Sequence, residues 1–143
     1  MAITKNEVVA LGDAFHAVTA RAGTVAEQAA FFLYPEPRIF VLHGADLTLQ
    51  GNQEIHLKLT DERHIASDYW EITPLCDQPE RARAIGAIYW EGRLKAPPAG
   101  GLIKCIVGED WIVQRVASGA LKFALYVNPY HHFLPDSAPL DLK

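Results

Sequence analysis

The sequence contains few cysteines, no cluster of basic residues and no long apolar run. Its two cysteines, Cys76 and Cys105, lie far apart, and neither forms a CxxC pair of the type that binds zinc or carries redox chemistry. The 13 basic residues are scattered among 17 acidic ones, with a formal charge of -4, so no basic stripe can follow a nucleic-acid backbone. We therefore expect a reduced, cytoplasmic protein that does not bind nucleic acid.

Export and membrane signals are also missing from the pattern. No window approaches the roughly 18 to 20 apolar residues that a membrane-spanning helix needs. The opening MAITKNEVVALGDAF lacks the uninterrupted apolar core of a signal peptide. With 143 residues, half of them apolar, the chain can bury one sizeable core, and no repeat or linker divides it. We expect a single domain, residues 1–143, that is neither exported nor membrane-bound.

Two amphipathic helices are predicted at the start of the chain. Residues 3–22 carry apolar side chains three and four positions apart, and Thr4 with Glu7 matches a capping box. Thr24 and Glu27 repeat the capping pattern for a second, shorter helix, which ends at a Pro-Glu-Pro break.

The period then changes to one that favours strands. RIFVLHG is short, branched and aromatic, which predicts a buried strand, and Gly51 introduces a third helix in QEIHLKLTDER. From Ile65 onward four runs, HIASDYWEITPLC, ARAIGAIYWEGRLK, GLIKCIVGEDWIVQRVA and LKFALYVNPYHHF, are separated by turn residues, which predicts antiparallel hairpins. The order is αα-β-α-ββββ, an α+β class.

This element order, the glycine of LTLQGNQEI and the closing hairpin ASGALKFALYV resemble the cone-shaped superfamily of nuclear transport factor two, ketosteroid isomerase and polyketide-cyclase-like proteins. The resemblance runs from about residue 5 to about residue 132, with Leu121 where the family often has tryptophan. In this register, Gly108–Asp110 becomes a bulge or kink within a long strand. The resemblance implies a curved sheet around three helices, a cavity on its concave face, and a homodimer formed through its convex face.

The resemblance also places candidate catalytic residues. His43 ends the first strand, about where the isomerases carry a general-base aspartate, and Asp46 follows close enough to orient it. The alternatives are a histidine that bonds a loop carbonyl and an aspartate that makes an Asx-turn. His16 lies about where the family's oxyanion-binding tyrosine falls, although Phe15 competes for that position and helical spacing leaves His16 at the border of the buried face.

Arg115 is a guanidinium in an otherwise apolar strand, WIVQRVA, so it needs an acid or a ligand as partner. Asp68 or Asp46 could supply that acid at the site, and an interface or structural ion pair is the favoured interpretation. Aromatic residues of the helix and strands suit the wall of a cavity for a flat apolar ligand, although they also suit ordinary sheet packing. The predicted lining residues are Phe15, Trp70, Tyr89, Trp111 and Tyr126.

Two adjacent histidines, His131 and His132, follow Pro129 near the end of the chain. Successive side chains of a strand point to opposite faces, so the pair is not expected to bind one metal ion. Pro129 interrupts the last strand, and the residues after it are expected to fold over the sheet or the pocket entrance.

The sequence supports two functional hypotheses. One is a small-molecule cavity protein, a lyase or isomerase that transfers protons on a small apolar carbonyl compound or alcohol and needs no metal or cofactor. In this hypothesis His43 moves the proton, Asp46 or Asp68 orients it, and Arg115 or His16 stabilises negative charge. The other hypothesis is a non-catalytic ligand-binding or assembly module of the same fold.

Overall fold

The computed structural model describes residues 2–41, 45–76, 79–95 and 100–142. Within them, three helices lie against one eight-stranded sheet. The elements are α1 (Lys5–Ala20), α2 (Val25–Ala29), β1 (Ile39–Val41), β2 (Ala45–Leu47), α3 (Leu49–His56), β3 (Leu59–Ala66), β4 (Glu71–Cys76), β5 (Arg81–Leu94), β6 (Ile103–Arg115), β7 (Leu121–Val127) and β8 (His131–Phe133). No helix of the described ranges is long and apolar enough to cross a membrane.

The sheet is built around a long central hairpin of β5 and β6. Along the order β2-β1-β7-β6-β5-β3, every pairing is antiparallel except that of β1 with β7. β4 pairs with the part of β5 that β3 leaves free, and β8 pairs with the part of β6 that β7 leaves free. Long paired strands twist and coil together. The α+β architecture with a curved sheet, predicted from the sequence, is confirmed.

Both predicted capping boxes are present. The Thr4 hydroxyl accepts the Glu7 amide at 3.3 Å, and the Glu7 carboxylate accepts the Thr4 amide at 2.9 Å. Thr24 and Glu27 form the same pair of bonds at 3.2 and 3.1 Å. Each box satisfies two backbone amides that a helix start leaves unpaired. The starts of α1 and α2 therefore follow from local sequence.

The predicted third helix is wrong in its second half. α3 ends at His56, and the chain enters β3 at Leu59, so the TDER residues belong to a strand. Leu59 is buried and pairs with Leu94 of β5. The spacing of Ile55 and Leu59 fits a helix, but the unpaired edge of β5 supplies backbone partners that make the strand the better solution.

The predicted strand HIASDYWEITPLC is two strands, because β3 and β4 pair with successive parts of β5 and residues 67–70 connect them. In this connection Trp70 turns inward. Its indole nitrogen donates to the Ser67 carbonyl at 3.0 Å, and its ring covers the bare backbone of Gly86. Asp68 stays exposed at the surface.

The core centres on Trp111 of β6, which is fully buried. Its ring stacks on Tyr126 with centroids 5.6 Å apart and lies 4.9 Å from Trp70 and 5.1 Å from Phe123. Gly12 of α1 lies directly against this ring, since a Cβ at that position would be 2.5 Å from Cη2 of Trp111. The missing side chain lets α1 come close to the sheet.

Arg115 ends β6 and connects that strand to α1. Its Nη1 donates to Glu7 at 2.8 Å, and its Nε donates to Glu80 at 2.5 Å. These glutamates are its acidic partners, so the assignment of Asp68 or Asp46 is wrong, and the ion pair is of the structural kind that was the favoured interpretation. The structure places the guanidinium in an ion-pair network that holds the start of α1 against the end of the sheet.

Replacing Gly12 with alanine tests the close approach of α1 to the sheet. We expect G12A to lower the free energy of unfolding by about 1–2 kcal/mol, because overpacking against Trp111 outweighs the better helix propensity of alanine. Urea denaturation measures the change. The matched control is G51A on α3, where the new Cβ meets side chains only at 3.4 Å or beyond. That variant should keep its stability or gain up to about 1 kcal/mol. Equal losses in both variants would contradict the packing argument.

Replacing Glu7 with glutamine tests the ion pair with Arg115. The hydrogen bond from Arg115, followed by the bond from the Thr4 backbone, lowers the pKa of Glu7 from 4.5 to about 2. A carboxyl whose pKa is lower in the folded state stabilises the fold above its unfolded pKa and loses that effect as the pH falls toward the folded value. Glutamine keeps the capping box but removes the charge.

We expect the wild-type protein to be more stable than E7Q at pH 7, with a difference that shrinks between about pH 4.5 and pH 2. Thermal unfolding at several pH values measures it. The control is E54Q on α3, which removes an exposed carboxylate that makes no ion pair among the described residues. A pH-independent difference between wild type and E7Q would count against the ion pair.

Candidate functional site

A cavity of about 80 Å³ lies between the concave face of the sheet and helices α1 and α3. This volume is large enough for several water molecules or part of a compact ligand. Most of its wall is apolar, and none of the described residues that line it is a lysine or an arginine. The polar side chains that line it are His16, Thr19, Asn52, His56, His64, Glu109, Tyr126, Asn128 and His131.

A bulge in β7 brings Tyr126 into the cavity. Ile112 pairs with Leu125 but Val113 pairs with Phe123, so β7 contains one extra residue at this point. Phe123 and Tyr126, three positions apart, are therefore both buried on the concave side, which strict alternation does not allow. The Tyr126 hydroxyl lies 2.8 Å from Nε2 of His16.

Glu109 is a carboxyl group buried in the middle of the sheet, with 2% of its surface exposed. Its Oε2 accepts hydrogen bonds from the Trp111 indole at 2.8 Å and from the Asn128 amide. Tyr126 lies close enough to this carboxyl for each group to affect the pKa of the other. Burial raises the pKa of Glu109 well above its ordinary value of 4.5, which favours the protonated form. Burial, and then the neighbouring carboxyl, raise the pKa of Tyr126 as well.

His16 and His64 stack face to face, with ring centroids 4.6 Å apart and planes 8° from parallel. Burial, followed by the charges of His64 and His56, lowers the pKa of His16 well below 6.5. Burial and His56 lower the pKa of His64 to about 3. Both rings are therefore neutral near pH 7. Neither Nδ1 of His16 nor Oγ1 of Thr19 has a hydrogen-bond partner among the described residues, although both side chains line the cavity.

A second polar group of the cavity joins α3 to β3. Nδ1 of His56 lies 2.8 and 2.9 Å from the two carboxylate oxygens of Glu62. The indole nitrogen of Trp90 donates to the same carboxylate at 2.9 Å. The Glu62 side chain is 1% exposed and that of His56 is 14% exposed, so the pair is almost completely removed from solvent.

Three of the predicted aromatic and histidine residues line the cavity. The lining includes Phe15, His16 and Tyr126. His16 is only 3% exposed, so its predicted position at the border of the buried face of α1 is wrong. Phe15 and His16 both reach the interior, because α1 packs against two strands: Phe15 contacts Phe123 of β7 and His16 stacks on His64 of β3. Trp111 lies behind the wall, stacked on Tyr126 and bonded to Glu109.

The other predicted residues lie elsewhere. Trp70 packs in the core away from the cavity, and Tyr89 on β5 is not among its lining residues.

The predicted catalytic residues Asp46, Asp68 and Arg115 do not line the cavity. Asp46 lies on β2 at the surface, where its carboxylate accepts a hydrogen bond from Arg38 at 2.7 Å. Asp68 is exposed in the connection between β3 and β4. Arg115 is held in its ion pairs at the end of β6. His43 lies outside the described residues.

Five polar residues of this region were not predicted from the sequence: Glu109, Asn128, His64, His56 and Glu62. For Glu109 a signal was available, because a carboxylate in the apolar strand CIVGEDWIV raises the same question of partners as Arg115 does. The bulge expected at this point is wrong, because Glu109 lies in a regular ladder between β6 and β5. The irregularity is in β7, opposite Ile112 and Val113 of β6. The other four residues carry no local signal, since their roles depend on contacts between distant segments.

The two adjacent histidines lie on β8, which pairs with β6. His131 lines the cavity and His132 is exposed, so their side chains take opposite faces, as alternation along a strand requires. Residues 128–130, around Pro129, interrupt the strand between β7 and β8. Among the described residues, no group of three side chains is placed to bind a metal ion.

Comparisons with known proteins identify the fold. A ketosteroid isomerase-like protein from Erwinia carotovora atroseptica SCRI1043 superposes with a TM-score of 0.57 at 15% identity, over 87% of this chain and 95% of that one. A proposed dehydratase from the NTF2-like family from Streptomyces avermitilis gives 0.64 at 13% identity, over 85% and 92%. ActVI-ORFA from Streptomyces coelicolor gives 0.58 at 15% identity, over 90% and 95%.

No protein-family model matches the sequence, and no curated protein does. The structural similarities span nearly whole chains, although their sequence identities are too low to transfer an activity. They show that this chain has the cone-shaped α+β fold of the nuclear transport factor two-like superfamily, which its sequence resembles.

Proposed function

We propose that this protein binds a small, uncharged carbonyl compound or alcohol in its cavity and transfers protons on it without a cofactor, as a lyase or isomerase. The observation that supports this most strongly is that Tyr126 lies 2.8 Å from His16 at the cavity and beside the buried carboxyl of Glu109. Structural neighbours described as isomerase-like and as a proposed dehydratase are consistent with such chemistry.

The three groups can pass a proton along the chain. In the proposed relay, protonated Glu109 gives its proton to the oxygen of the neighbouring Tyr126. Tyr126 donates to Nε2 of His16, and the ring then carries its hydrogen on Nδ1. When a bound carbonyl oxygen takes the proton from Nδ1, each group is replenished by the next one, and Glu109 becomes a carboxylate. The Trp111 and Asn128 donors stabilise that carboxylate. His16 therefore acts as the acid at the cavity, and Glu109 serves as its proton reserve.

The electrostatics of the cavity select an uncharged ligand. The lining is mostly apolar and contains no lysine or arginine among the described residues, and burying an anion without a cationic partner is costly. The unpartnered Nδ1 of His16 and the hydroxyl of Thr19 are one helical turn apart on α1, so both can reach one ligand oxygen.

A second candidate function is non-catalytic ligand binding, or assembly through a homodimer of the same fold. The low pKa values of the stacked histidines favour it, because His64, with a pKa of about 3, is a weak base. Arg115, which the catalytic hypothesis used for charge stabilisation, is occupied by glutamates. In this case the cavity would bind the same class of ligand without turning it over.

Glutamine in place of Glu109 tests the catalytic proposal. In heavy water, a protein that removes and returns α-protons replaces the α-hydrogens of cyclohexanone with deuterium, which NMR follows directly. We expect E109Q to slow this exchange by about 100-fold at an unchanged KM for the ketone, because the amide keeps the hydrogen bonds but has no transferable acid proton. The matched control is E54Q on the exposed face of α3. Equal rates for wild type and E109Q would contradict the relay.

Thermal shift tests the predicted selectivity for uncharged ligands. Cyclohexanone at millimolar concentration should raise the unfolding temperature, since a ligand of the native state stabilises it by mass action. Cyclohexanecarboxylate at the same concentration should not, because no described cation faces its carboxylate in the cavity. A larger shift with the carboxylate would contradict the proposed ligand class.

A further inference from the structure

We propose that His56 is the base that removes the proton from carbon in this cavity and that Glu62 is its positioning residue. The inference rests on the proposed function and adds the base that this function requires. The relay through His16 supplies an acid at the ligand oxygen, but an enolisable compound also needs a base for its C–H bond.

The contacts of Glu62 determine the tautomer of His56. A carboxylate only accepts hydrogen bonds, so the ring nitrogen that lies 2.8 Å from it carries the hydrogen. In the neutral ring that acts as a base, Nε2 is then the nitrogen with a free lone pair. No hydrogen bond among the described residues engages Nε2, and the side chain lines the cavity. The Glu62 carboxylate is in turn held by the Trp90 indole, so it cannot swing away.

The backbone of β3 is shaped to bring this carboxylate inward. The register between β3 and β5 shifts between Thr60 and Arg63, and Asp61 within the shift has a φ of 55°. A non-glycine residue with positive φ is strained, and it persists only where the surrounding structure holds it. The bulge places Glu62 and His64 on the cavity side of the strand, next to the end of α3 that carries His56.

His56 is better suited to this step than the stacked histidines. Burial lowers the pKa of both His16 and His64, which makes them poor proton acceptors. When His56 takes up a proton, its imidazolium instead forms an ion pair with Glu62, whose carboxylate oxygen lies 2.8 Å from Nδ1. The buried carboxylate therefore stabilises the imidazolium as it develops, in the way that an oriented carboxylate supports a histidine base in other enzymes.

The step is balanced in protons and electrons. Nε2 of His56 takes the α-proton, the C–H electron pair forms the carbon–carbon double bond of the enol, and the carbonyl oxygen takes a proton from Nδ1 of His16. Return of a proton from His56 to carbon and from oxygen to the relay completes an isomerisation or an exchange. If the β-carbon carries a hydroxyl group, that group takes the proton held by His56 and leaves as water. The electron pair of the enol forms the new carbon–carbon double bond, and the enol oxygen returns its proton to the relay as the carbonyl re-forms, which is the lyase outcome.

The deuterium exchange of cyclohexanone in heavy water tests the proposal. We expect H56A to slow the exchange by about 100-fold or more with an unchanged KM for the ketone. E62Q should slow it by about tenfold or more, because an amide cannot neutralise the imidazolium. The matched control is H132A, which removes an exposed histidine of β8 and should exchange at the wild-type rate. H56Q serves as a second variant, and circular dichroism verifies the fold of each.

A purely structural role for His56 is distinguished by rescue and by pH. Added imidazole should increase the exchange rate of H56A at least tenfold. The wild-type exchange rate should rise with pH, and this rise should be lost in H56A. A wild-type rate in H56A together with a slow E109Q would overturn the base assignment and leave the proposed function standing. A slow H43A beside an unaffected H56A would assign the base to His43. Exchange by no form of the protein would overturn both proposals.

Discussion

The contact between α1 and Trp111 is the constraint on which the rest of the structure depends. Gly12 leaves no side chain between the helix and the indole, so the helix lies directly on the ring. The same ring stacks on Tyr126 and donates its nitrogen hydrogen to Glu109. One residue therefore sets the distance between helix and sheet and also holds two members of the polar chain. A change in this packing would move the walls of the cavity and its acid together.

The long strands β5 and β6 provide the frame, and two irregularities in their neighbours provide the chemistry. Both bulges, one in β7 and one in β3, add a residue where regular alternation would turn a functional side chain away from the cavity. The first brings in Tyr126 and the second brings in Glu62. Polar groups in an apolar interior cost free energy unless they are paired. Most of these groups are paired with each other. Nδ1 of His16 and Oγ1 of Thr19, which have no partner among the described residues, belong to side chains that line the cavity.

The features that depend on interactions between neighbouring residues were predicted correctly from the sequence. The capping boxes at Thr4 and Thr24, the hairpin at Gly119 and the break at Pro129 were all predictable, because each depends on a few neighbouring residues. The fold was predictable from the order of these elements. The third helix was predicted too long, because apolar spacing in this short segment fits a helix and a strand equally until β5 supplies its unpaired edge.

The candidate site was less predictable, for a physical reason that two residues illustrate. His16 was identified by its position relative to a family, but its partner Tyr126 is 110 positions away, and only the curved sheet brings them to 2.8 Å. Arg115 was expected at the site because a buried charge needs a partner, and two glutamates provide one outside the cavity. The sequence by itself determined the helix starts, the turns and the class of fold, since these follow from neighbouring residues. The tertiary structure decided which polar side chains meet, because their burial and pKa values depend on segments that come together only in the folded chain.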